Sequence, residues 1–115
     1  MNLLLEKHPL QIFVVTLEER LDAFSAPALR EKIEELLQDG ISHIVIDLSH
    51  VPFFDSAAMA VFVSALKRAR QAGGDVKLVW PQAEEARRII YLTKFDRVFD
   101  ISHSTEEAQQ AFGVV

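Results

Sequence analysis

The run Ile44-Val-Ile-Asp-Leu48 constrains the fold most. A strand so nearly continuous in apolar residues must be covered on both faces, as in a sheet packed between helices. A second run of this kind, Val76-Lys-Leu-Val-Trp80, is closed by Pro81. The stretch Gln11–Leu17 is β-branched and aromatic and reads as another strand, with Leu3–Leu5 as a short strand beside it and His8-Pro9 in the turn between.

Helical spacing fills the gaps. Ser25 offers an N-cap with Pro27 in the first turn, and Ala26, Leu29, Ile33, Leu36 and Leu37 form one apolar stripe ended by Gly40. After a loop from Ser49 to Asp55, a second helix runs from Ser56 to about Gln71 and stops at Gly73-Gly74. A third spans about Ala83 to Thr93, and Val98 to Ile101 reads as extended. The last helix starts at Ser104 and reaches Phe112, with Glu107 placed as in a capping box. Strands alternating with helices imply parallel pairing through right-handed crossovers. The expected fold is α/β: a mixed sheet with largely parallel core strands and an N-terminal hairpin, flanked by about four helices. No repeat or linker interrupts residues 1–115, which read as one domain.

Composition narrows the function classes. Half of the 115 residues are hydrophobic and mean hydropathy is +0.13, too apolar for a disordered chain. No apolar stretch approaches the roughly 20 residues of a membrane span, so membrane insertion is not expected. Leu3-Leu4-Leu5 runs straight into Glu6-Lys7, which leaves no export signal in view. The chain contains no cysteine, which excludes disulfides, thiolate metal sites and a catalytic thiol. A pI near 5.3 gives no electrostatic footprint for nucleic acid. The net charge of −5 is uneven: residues 1–55 carry four basic and ten acidic groups, residues 56–115 eight and seven. A cytoplasmic protein fits these features.

Catalytic motifs are scarce, and no enzyme or cofactor is expected. Histidines 8, 43, 50 and 103 lack metal-ligand spacing and read as surface or turn residues. Gly73-Gly74 lacks the sequence of a phosphate loop. Ser56 stands at a strand–loop–helix junction, but without the flanking glycines of a nucleophile elbow. Asp22, Asp47 and Asp55 fall near strand ends, where α/β sheets place ligands. A response-regulator receiver would use such carboxylates for a cation, yet no helix in register follows Thr16-Leu17-Glu18-Glu19, and the third core strand ends Val79-Trp80-Pro81 without the receiver's late-strand lysine.

Asp55-Ser56 admits two readings. Either residue can cap the helix through its side-chain oxygen. Alternatively, Ser56 is a phosphoacceptor at a helix start, where a phosphate meets unpaired N–H donors and the positive end of the dipole. Its added charge of about −1.5 to −2 would alter the surface, with Asp55 and Asp22 close by. Val51, Phe53, Phe54, Ala57, Ala58, Met59 and Phe62 crowd the serine, too many for all to face inward. Phe53, Phe54, Ala57, Ala58, Met59 and Phe62 are the candidate partner-binding surface; of the adjacent phenylalanines, either one packs beneath the loop and the other is exposed, or both fold inward.

These residues resemble the STAS domain family, above all its stand-alone anti-sigma factor antagonists. The likeness is carried by Asp47-Leu-Ser-His-Val-Pro-Phe-Phe-Asp-Ser56, by Gly73-Gly-Asp-Val-Lys-Leu-Val79, by Arg20-Leu-Asp22 and by Leu92-Thr-Lys-Phe-Asp-Arg-Val-Phe-Asp-Ile101. It implies a binding module that docks on a serine-kinase anti-sigma factor and frees the sigma factor. The kinase, using its own ATP, would phosphorylate the serine that matches Ser56, and a phosphoserine phosphatase would reverse this. Asp55 and Asp22 match the family's acidic positions beside that serine. The chain departs from the family at Ala57-Ala58, where Ser or Thr and then Gly are usual, and at Glu19, where Gly often stands. A non-switching STAS scaffold subunit of a signalling or lipid-transporter complex is the alternative, and a monomer or weak dimer fits either.

Overall fold

The computed structural model describes residues 3–8 and 11–113. Its five strands are β1 (Leu3–His8), β2 (Ile12–Leu17), β3 (His43–Asp47), β4 (Asp75–Val79) and β5 (Asp100–Ser102). They lie in the sheet in chain order, β1 antiparallel to β2 and the others parallel. Four α-helices connect and follow them: α1 (Ala26–Gln38), α2 (Ser56–Gln71), α3 (Glu84–Thr93) and α4 (Thr105–Gln110). A 3-10 turn, Phe95–Arg97, precedes β5. The architecture is the mixed α/β sheet with an N-terminal hairpin that the sequence implies.

The two strand faces bury different partners. Val15, Leu17, Ile44, Ile46, Val76 and Leu78 meet Leu29 and Ile33 of α1, Phe62 and Ala65 of α2, and Ile90 of α3 in one core. The alternate residues Ile12, Val14, Val45 and Val79 meet Ala108 of α4, with Phe112 against them. Coverage on both sides explains the unbroken apolar runs of β3 and β4. Lys77, on the α4 side, is 6% exposed. Its Nζ lies 2.8 Å from Asp100 Oδ2, 3.4 Å from Asp75 Oδ2 and 4.9 Å from the Phe112 ring, so the buried charge is compensated.

Local differences from the sequence reading have simple causes. β1 continues to His8, which pairs with Ile12, because β2 offers ladder partners along its whole length. His8 therefore ends a strand rather than occupying the turn, and Pro9 lies outside the described residues. β3 and β4 each begin and end one residue earlier than their apolar runs. Ser25 precedes α1, but its side chain makes no cap bond to the helix; Oγ accepts from Asp22 N–H at 2.9 Å instead. At the last helix Ser104 Oγ accepts from Glu107 N–H at 3.1 Å, as the capping pattern requires.

Candidate protein-docking site

The site forms where the loop after β2 meets the loop after β3. Leu21 and Phe54 make an isolated parallel bridge: Leu21 N–H donates to Phe53 C=O at 2.9 Å, and Asp55 N–H donates to Leu21 C=O at 3.0 Å. The bridge brings the Arg20–Ser25 segment against the start of α2, so Asp22 and Asp55 come to one rim, as the sequence suggests. Val51 and Phe54 are buried beneath it.

Asp55, not Ser56, caps α2. Its Oδ1 accepts from Ala57 N–H at 2.9 Å and Ala58 N–H at 3.2 Å. Its Oδ2 accepts from Ala23 N–H at 3.1 Å, across the bridge. Ser56 is the first residue of α2 and is exposed, so its hydroxyl is spared the capping role. The sequence reading of a phosphate facing unpaired amides is thereby corrected. Two of the first-turn N–H groups already belong to the Asp55 carboxylate, and a phosphate on Ser56 would stand beside that negative charge.

Asp22 shapes the adjoining turn. Its Oδ1 accepts from Phe24 N–H at 2.9 Å and Ser25 N–H at 3.2 Å, and its Oδ2 lies 3.6 Å from Arg20 Nε. The Arg20 guanidinium sits 4.2 Å from the centre of the Phe53 ring. Asp47 is buried and accepts from Ser49 N–H at 3.0 Å, which makes it a turn residue. Among the described residues, no group of three His, Asp or Glu could hold a metal.

Three candidate contact residues are core residues. Phe54 is paired to Leu21 and turns its ring inward, edge-on to Phe62 with centroids 5.9 Å apart. Ala58 and Phe62, one turn apart, share the inward face of α2 with Ala65 and Ala69. All three are at most 1% exposed and cannot reach a partner from the folded chain. Phe53, Ala57 and Met59 are half-buried at the rim around exposed Ser56. Of the two adjacent phenylalanines, one therefore packs inside and the other lies at the surface.

Phe24, which no sequence pattern singles out, is 96% exposed, the largest value for a bulky apolar side chain among the described residues. Its one signal is position: it follows Asp22, whose Oδ1 closes the turn before α1 by accepting from Phe24 and Ser25 N–H.

The double role of Asp55 makes it the stability centre of the site. Asp55→Ala should lose about 2–3 kcal/mol, the sum of a helix cap and a cross-loop hydrogen bond. Asp55→Asn should recover most of the loss, since asparagine caps equally well. Urea unfolding of the three proteins measures both.

Fold and rim together define a small mixed-sheet domain that presents a capped loop–helix junction at its surface. The STAS domain model matches residues 4–108, and the chain belongs to the STAS domain family. The anti-sigma-B factor antagonist of Bacillus subtilis is 33% identical over 96 residues, 84% of this chain and 86% of the relative. Among solved structures, the Thermotoga maritima protein TM1081 superposes with a TM-score of 0.89 at 26% identity, covering 97% of this chain and 95% of its own. An anti-sigma factor antagonist from Mycobacterium paratuberculosis gives 0.86 at 27% identity, covering 98% and 94%.

Proposed function

We propose that this protein is an anti-sigma factor antagonist whose docking surface is switched by phosphorylation of Ser56. The observation that carries the reading is the division of labour at α2. Asp55 supplies the cap, which leaves an exposed serine hydroxyl beside a fixed carboxylate. Unphosphorylated, the rim of Ser56, Phe53, Ala57 and Met59 docks on a serine-kinase anti-sigma factor and frees its sigma factor. The kinase transfers a phosphoryl group from its own ATP to the Ser56 hydroxyl. The product puts about −1.5 to −2 charges next to Asp55 and near Asp22, and the partner surface that accepted a neutral serine is repelled. A phosphoserine phosphatase resets the surface. The chain itself binds and does not catalyse, and it works in the cytoplasm with its partner.

Purified serine-kinase anti-sigma factors of the source organism, mixed with the chain and Mg-ATP, provide the test. Mass spectrometry should place one phosphate on Ser56, and Ser56→Asp should weaken binding about a hundredfold, the scale of a like-charge contact of several kcal/mol. No modification at Ser56, together with full binding by Ser56→Asp, would remove the switch. Capture of transporter or scaffold subunits in place of a kinase would assign the chain to the non-switching alternative.

A further inference from the structure

A free phenylalanine ring in water loses the hydrophobic stabilisation its burial would give, and folded proteins usually hide one. Phe24 is left almost wholly exposed, yet its backbone is held from several sides. Its own N–H donates to Asp22 Oδ1 at 2.9 Å, and Asp22 N–H donates to Ser25 Oγ at 2.9 Å. Ala26 N–H donates to Asp22 C=O at 2.8 Å, and the preceding Ala23 N–H donates to Asp55 Oδ2 at 3.1 Å. The ring thus stands on a pinned turn, and one of the pins is the same carboxylate that caps the helix of Ser56. A rigidly mounted aromatic has two side-chain torsions to lose and presents a large apolar area, which suits it to be an interface anchor.

We infer that Phe24 is the hydrophobic anchor of the Ser56 docking surface, inserting into an apolar pocket on the serine-kinase anti-sigma factor. The inference rests on the function proposed above and extends the rim across the bridge to the turn before α1. Charges of both signs border the ring: Glu19, Arg20 and Asp22 line the same surface hollow as Phe24, and Arg20 Nε lies 3.6 Å from Asp22 Oδ2. The partner pocket should therefore be apolar at its floor, with an edge of mixed charge rather than a basic edge that would attract a phosphate on Ser56. Rim charges of this kind set the rate of encounter, while the buried ring sets the rate of departure.

Calorimetry with whichever of the organism's serine-kinase anti-sigma factors binds the wild-type chain tests this directly. Phe24→Ala should weaken binding about tenfold to a hundredfold, chiefly through faster dissociation, and Phe24→Trp should keep most of the affinity. Thermal unfolding of Phe24→Ala should match the wild type, because the ring touches no core residue. Equal affinity of Phe24→Ala and wild type would overturn the anchor while leaving the proposed function standing. A wild-type chain that binds none of these kinases would overturn both. A lowered unfolding temperature for Phe24→Ala would show a structural role for the ring and likewise overturn the anchor.

Discussion

Phe62→Ala is expected to cost about 3–5 kcal/mol of folding stability, the range for emptying a fully buried aromatic site. The ring is inaccessible, meets Phe54 edge-on, and fills the space between α2 and the sheet. A domain of this size has only about 5–15 kcal/mol in total, so the variant should unfold at a much lower urea concentration. Its affinity for a partner, measured where it is still folded, should change little. A docking residue would show the reverse pattern, with stability intact and affinity lost. Urea unfolding and binding measured on one preparation therefore separate the two roles that an apolar residue beside Ser56 can have.

This distinction was the part of the site that the sequence could not supply. The strands, the helix from Ser56 to Gln71 and the glycine stops follow from apolar runs, helical spacing and turn chemistry. Those are local properties, and they were legible. The sharing of apolar residues between core and surface depends on which way α2 is rotated on the sheet, and helical period alone does not give that when Ala57 to Val63 is apolar throughout. Phe54 is fixed by pairing with Leu21, a contact across more than thirty residues that no local pattern announces. Asp55 and Ser56 are both competent caps, so the sequence left their roles open until the geometry assigned the cap to Asp55. Phe24 is not legible in the sequence for the opposite reason. A lone aromatic in a turn belongs to no stripe, and its exposure depends on a loop held by Asp22 and Asp55.

The same bonds tie the two segments of the rim together. Asp55 holds α2 through Oδ1 and the Ala23–Phe24 turn through Oδ2, so the serine and the aromatic ring are referenced to a single carboxylate. The family's usual small residues after the serine are alanines here, and Ala58 is completely buried. Its methyl group is thus part of the packing under α2, so of these two departures from the family pattern only Ala57, half-buried beside Ser56, alters the outer rim.

Gly74→Ala should be as damaging as the loss of Phe62, although it adds only a methyl group. Gly73, at φ +86°, reverses the chain after α2, and Gly74 N–H donates to Ala69 C=O at 2.8 Å. The chain then enters β4 pressed against the residue before β3. A Cβ at position 74 would overlap the Ser42 carbonyl and stand 2.6 Å from Ser42 Cβ. That carbonyl also accepts the Asp75 N–H at 2.9 Å, so it cannot retreat without losing a ladder-end hydrogen bond. Overpacking against backbone and the broken bond together should cost about 3–5 kcal/mol. Gly73→Ala meets no neighbour and suffers only the strain of a positive φ, about 1 kcal/mol. Chemical unfolding of the two variants side by side should rank Gly74→Ala well below Gly73→Ala. The opposite order would mean that the β3–β4 entry is looser than the structure has it.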